Sequence, residues 1–297
     1  MKKSGGRGLF VGLCIIPTTV LFTLFMVVPT LEVFYYSFFG GFSKYNITSK
    51  SFVGFQNYID LFTNPTIAPK FIGTFQNTIL LIVLVTIVTF AFALVYAGIL
   101  SREKIKGQNF FRIIFYIPNI LSVVVISSIF FNVVYDSDIG ILNSITSLFG
   151  FTVQWKSGNE VVIFSLAIAM IWQAIGYYMV MYMSSMAAIP ESIYESANLE
   201  GASRVRVFFQ ITIPLVWTNI RTTLTFFIIS TINLSYLFVR AMYGSRAPES
   251  TYVLLYYMYE KTQDYGRAMA IGVITFLFSF LLAGIVNAVT KREILEF

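Results

Sequence analysis

Hydrophobic and polar residues alternate along this chain in long blocks rather than at helical or strand period. Apolar runs extend from Leu9 to Leu31, Thr74 to Leu100, Phe110 to Val134, Glu160 to Ala188, Leu215 to Val239 and Arg267 to Val289. Each reaches the roughly 20 residues that a helix needs to cross a bilayer. The pattern predicts an all-α membrane protein with six transmembrane helices. Met1 to Gly8 is basic and precedes an apolar run, as in a cleaved signal peptide. That run is too long for a signal core and no small-x-small site follows, so a retained first helix is expected, bent or ended by Pro17 and Pro29.

The blocks between the runs differ. Glu32 to Gly73, Tyr135 to Asn159 and Arg240 to Gly266 are long and mixed, with turn signals at Gly40-Gly41, Asn64-Pro65 and Pro69 in the first. The others are short and basic. Lys2, Lys3, Arg7, Arg102, Lys104, Lys106, Arg112, Arg204, Arg206, Arg221, Lys291 and Arg292 fall on one side, and Lys44, Lys50, Lys70, Lys156, Arg240, Arg246, Lys261 and Arg267 fall in the longer loops of the other. Lys and Arg in short loops set orientation, so both termini are expected in the cytoplasm.

Of 297 residues, 57% are hydrophobic and 11% charged, against about a quarter charged in soluble domains. The net charge of +6 sits between apolar runs and reports orientation rather than a nucleic-acid surface. A single cysteine, Cys14, excludes an internal disulfide framework, and the lack of histidine excludes His-based catalysis or metal ligation. No G-x-x-x-x-G-K-[ST] loop cradles a nucleotide, so this chain is not expected to hydrolyse ATP.

The stretch from Ile189 to Pro214 is the long polar interruption late in the chain. Pro190 suits a first helical position, with Glu191 and Glu195 near the positive end of the helix dipole. Gly201 is expected to end that helix, Ser203 to cap a second one through Val207, Phe208 and Ile211, and Pro214 to stop it. Its spacing, Glu195-Ser196-Ala197-x3-Gly201-x9-Ile211-x-Ile213-Pro214, resembles the signature loop E-A-A-x3-G-x9-I-x-L-P of permeases in binding-protein-dependent ABC importers. Ser196 and Ile213 depart from it by small changes of volume.

Phe52-Val-Gly-Phe-Gln-Asn57-Tyr58, Asn77-Thr78, Pro118 with Ser122, and Trp172-Gln173-x-x-Gly176-Tyr177 resemble segments of the carbohydrate branch of that family, and Gly244 to Pro248 resembles its G-G-G-P turn imperfectly. The resemblance implies a type I ABC importer permease fold whose coupling helices dock on a cytoplasmic ATPase. It implies further partners: a second homologous permease, two ATPase subunits, an extracytoplasmic solute-binding protein and membrane lipid, with no nucleic acid. ATP and Mg are used by the ATPase, and no cofactor is bound by this chain. Glu195, Ser196, Ala197, Gly201, Ile211 and Pro214 are the candidate coupling residues. Glu195 either pairs with the ATPase or caps its own helix.

A sugar offers hydroxyls and apolar C–H faces, so its path needs amides, hydroxyls and aromatic rings in an apolar setting. Pro118 is expected to free a carbonyl and bend the third span in its middle. Asn119 and Ser122 after it, Trp172, Gln173 and Tyr177, and Thr231, Asn233 and Tyr236 combine such amides, hydroxyls and rings, and in the family the corresponding spans line the central cavity. Interhelical hydrogen bonding and, for the rings, an interfacial belt are the alternatives. The expected division is residues 1–72 as first helix and external loop, 73–290 as a core of five helices including 189–214, and 291–297 as a cytoplasmic tail. The function these readings support is import of a sugar, an oligosaccharide or glycerol phosphate, through a bacterial cell membrane. A secondary transporter or channel is the alternative, but it would bury ionisable groups or show repeated halves.

Overall fold

The computed structural model describes residues 5–102, 106–158, 161–261 and 263–291; Lys2, Lys3, Lys104, Glu160, Arg292 and the rest of the expected tail lie outside them. Among the described residues, five helices are long and apolar enough to cross a membrane: Phe10–Tyr36, Ala68–Ser101, Val162–Ala187, Trp217–Tyr243 and Tyr265–Val289. A broken pair, Gln108–Ile120 and Val123–Val134, bent by 102°, is long and apolar enough only when its halves are taken together, and as one span it makes six. The chain divides into two compact units. One joins the described residues up to Ala68 with Tyr257–Leu277, and the other joins Pro69–Tyr256 with those from Phe278 onward.

In the first unit, the long helix continues to Tyr36 and is followed by a two-residue hairpin, Phe39–Gly40 against Ser51–Phe52, and a short helix, Gln56–Thr63. Pro29 does not end the helix. The turn before it widens to π geometry over Thr23–Val27, with Val28 N–H bonding to Thr23 oxygen. The wider turn gives room to a ring that otherwise collides with a carbonyl one turn back. Asn57 anchors the loop by donating to the Ser37 and Phe39 oxygens, both at 2.8 Å, and Tyr58 donates to Ser37 Oγ at 2.7 Å. Arg267 joins Asp60 (3.5 Å) and Asp264 (2.5 Å).

The second unit holds the larger core, with Leu81, Val85, Ala93, Ile126, Leu166, Met179, Phe227 and Phe238 buried. The fourth span packs there on the first half of the broken span, and it does so closely at Gly176, where a Cβ would fall on the Phe115 carbonyl. The broken span does not bend at Pro118. Its helix runs on to Ile120, and the break falls at Leu121 and Ser122, both extended, where the Ser122 hydroxyl accepts from Val125 N–H at 3.3 Å and caps the second half. A local start signal therefore decides the position of the bend. Asn77 donates to the Ser250 and Tyr252 oxygens (2.9 and 3.1 Å), and Thr78 Oγ accepts from Leu254 N–H at 3.0 Å, which fastens the last loop to the second span. Trp217 Nε1 and Arg221 Nη2 donate to the Thr290 and Asn287 oxygens, satisfying carbonyls that the end of the sixth helix leaves unpaired.

Candidate functional site

The segment from Ile189 to Pro214 is two helices joined at a glycine. The first is Glu191–Leu199, so Pro190 sits one position before it rather than inside it. Ala202 N–H bonds to Ala197 oxygen and Gly201 N–H to Asn198 oxygen, both at 3.0 Å. This pair of bonds is a Schellman closure, which needs a left-handed residue between its arms. Gly201 supplies it at φ +74°. Ser203 then accepts from Arg206 N–H at 3.3 Å and starts the second helix.

That helix does not stop at Pro214. A π turn over Phe208–Thr212 admits the proline, as another does before Pro29, and the helix continues to Leu215. Tyr194, Ala197, Val207 and Thr212 face inward, with the Tyr194 and Thr212 hydroxyls 3.3 Å apart. Ile211 and Pro214 are half-buried, while Glu195 and Ser196 are exposed. Ser196 donates to Ser192 oxygen at 2.9 Å. Glu195 has no hydrogen-bond or ion-pair partner among the described residues, so its carboxylate faces outward rather than capping a backbone N–H. Leu199, Val205 and Phe209 are also exposed, at 90%, 68% and 63%. Glu195 with Leu199, and Val205 with Phe209, lie four apart on helical faces, a spacing visible in the sequence that marks an outward surface.

The candidate path residues lie on three spans that pack pairwise: the broken span's first half on the fourth, its second half on the fifth, and the fourth on the fifth. Asn119 is half-buried in the last turn before the break, and Ser122 is exposed with its hydroxyl accepting the capping bond. Trp172 is partly exposed and meets the Phe130 ring edge-on at 5.4 Å; Tyr177 is partly exposed beside Tyr178. Gln173 is buried. Asn233 is exposed and Tyr236 half-buried. Thr231 is fully buried and donates to Phe227 oxygen at 2.8 Å. Among the described residues no group of His, Cys, Asp or Glu is placed to hold a metal ion.

The described chain is thus a set of long apolar helices interrupted late by a helix-glycine-helix segment. Residues 93–294 match the family described as binding-protein-dependent transport system inner membrane component. The chain is 31% identical over 208 residues, 68% of each chain, to the probable ABC transporter permease protein YurN of Bacillus subtilis. It is 28% identical over 223 residues to the arabinooligosaccharides transport system permease protein AraP of the same organism, covering 72% of this chain and 68% of that one. A crystal structure of a bacterial ABC transporter that imports alginate superposes with a TM-score of 0.82, at 20% identity, over 97% of this chain and 96% of that one.

The protein belongs to the inner-membrane component family of binding-protein-dependent transport systems, and its fold is that of a type I ABC importer permease. It is a multi-pass, non-catalytic subunit of a multi-subunit importer, working with a paired permease, ATPase subunits and an extracytoplasmic solute-binding protein.

Proposed function

We propose that this chain passes a neutral oligosaccharide across a bacterial cell membrane, between cytoplasmic termini and an external binding protein. The carrying observation is charge. The broken span from Phe115 to Val134, the fourth span, and the fifth from Thr222 to Val239 contain no Asp, Glu, Lys or Arg. A path without a charged partner suits hydroxyls and C–H faces and disfavours a phosphate or uronate, which would lose its hydration unpaired. Asn119, Ser122, Trp172, Gln173, Tyr177, Asn233 and Tyr236 are the assigned contacts, with Thr231 supporting the wall from its buried position. The name of AraP gives an oligosaccharide for a relative that matches most of this chain. Glu195, Ser196, Ala197, Gly201, Ile211 and Pro214 transmit ATPase closure to these spans.

Uptake by the complete importer in proteoliposomes tests this reading with neutral oligosaccharides, monosaccharides, polyols and charged counterparts. Neutral oligosaccharides are expected to be transported best, and Asn119→Ala and Asn233→Ala to slow that transport with the complex still assembled. Preference for a phosphorylated or uronate sugar overturns the neutral assignment. Unchanged transport in both variants overturns the path assignment.

A further inference from the structure

The connection between the broken span and the fourth span turns its polar side inward and its apolar side outward. It contains a short helix, Ile141–Ser147, followed by a turn through Phe151. Ile141, Ile145, Leu148 and Phe149 recur at the i, i+4, i+7 and i+8 spacing of one helical face. With Ile139 and Phe151 they are all exposed, Ile139 and Leu148 by more than 80%. No charged side chain occurs from Ile139 to Trp155.

The opposite side cannot turn outward to exchange places with this stripe. Asn143 is buried there, its amide donating to the Asp136 and Ser137 oxygens and its oxygen accepting from Val153 N–H (3.1 Å) and Trp155 Nε1 (3.0 Å). Gly140 sits so close to the Asp136 backbone that any Cβ would collide with it. The ends are fastened as well. Tyr135 donates to Ser165 oxygen at 2.6 Å, Ser165 Oγ donates to Trp155 oxygen at 2.9 Å, and Lys156 pairs with Asp136 at 3.0 Å. That ammonium holds the Asp136 carboxyl below the usual carboxylate range, helped by the Asp138 and Ile139 N–H groups.

We propose that this stripe is immersed in the bilayer interface, a monotopic lipid anchor between two spans. Two observations select lipid over the binding protein, and cover by the paired permease is an outcome of the test. The segment joins the end of the broken span at Val134 to the start of the fourth at Val162, and Tyr135 and Trp155 are both bonded to Ser165 in the first turn of the fourth, which holds it against the ends of the two spans. A binding protein that docks and leaves would return six large apolar side chains to water, and exposed patches of that kind are rare outside permanent interfaces. A charge-free apolar helical face beside the headgroups matches the interfacial helix, with the polar side here supplied by protein rather than water.

The test is spin-label accessibility in the complete importer, in phosphatidylcholine–phosphatidylglycerol nanodiscs without binding protein. Cys14 is replaced by serine, and single labels are placed at Ile145, Leu148 and, as an aqueous reference, the exposed Thr48. At Ile145 and Leu148, oxygen is expected to relax the label more than a water-soluble nickel chelate, with the order reversed at Thr48. Nickel access at Ile145 and Leu148 matching that at Thr48 places the stripe in water and overturns the proposal. Low access to both reagents means that protein covers it and overturns the proposal equally.

Discussion

Two glycines, in the middle of the fourth span and in the coupling segment, are needed for opposite reasons. Gly176 lies in an ordinary helix, and what it lacks is space: a methyl group would land on the Phe115 carbonyl of the helix beside it. Gly201 has open space around it within this chain, and what it requires is conformation, φ +74°, to close the Schellman turn. The first glycine permits close packing of two membrane helices, where small residues replace the hydrophobic drive that lipid abolishes. The second shapes an exposed joint, which in the coupling role proposed above is the surface offered to the ATPase. A packing glycine therefore reports on stability, and a turn glycine at an exposed joint reports on function.

The largest effect is expected from Gly176→Ala. The neighbouring backbone cannot yield like a side chain, and overpacking of this kind costs about 3 kcal/mol. Thermal unfolding of the purified complex measures it, and an unchanged midpoint would contradict the close approach. Gly201→Asp is next. We expect the protein to remain in the membrane, with local strain of about 1 kcal/mol, while uptake falls by about tenfold with ATP hydrolysis continuing. Normal uptake removes the coupling role. Gly201→Asn, of nearly the same shape and the same left-handed tolerance but uncharged, separates charge from bulk; uptake that stays low in both variants points to a side-chain clash in the ATPase groove. Ser203→Ala removes the cap of the second coupling helix and should cost about 1 kcal/mol, read as faster amide exchange at Arg206. The smallest effect is expected in the first span, whose apolar window has no buried residue within this chain, against 61% buried in the fourth. Phe22→Ala should change the stability of the isolated chain by less than about 0.5 kcal/mol, whereas a large loss would mean that the span packs internally.

The first and fourth spans also show where sequence reading ends. Hydropathy marks both as crossings, and the first is the more apolar, with a mean of 2.4 against 1.7. Hydropathy in a membrane measures affinity for lipid and not for other helices, so it carries no sign of which span is buried. The sign lay instead in Ser165, Ala167, Ala169, Ala174 and Gly176, small residues on faces that meet other helices. Asn57, Asn77 and Thr78 were legible as a resemblance only. Their task, fastening loop backbone (carbonyls for the two asparagines, the Leu254 N–H for Thr78), depends on partners that are distant along the chain in all but the first case.

The sequence by itself determined the crossings, the loop lengths and the helix-glycine-helix segment, because each rests on local physics: block hydrophobicity, a serine cap, and a glycine that alone takes φ +74° without strain. Only the tertiary structure decided what the prolines do. Pro29 and Pro214 are carried through their helices by π turns, and the bend expected at Pro118 falls at Leu121 and Ser122. A proline removes one donor and crowds one carbonyl, and whether the chain widens, breaks or runs on depends on what packs around it. The outward face of the helix at Ile141–Ser147 was decided in the same way, by Asn143 and the backbone around Gly140 rather than by the apolar residues themselves.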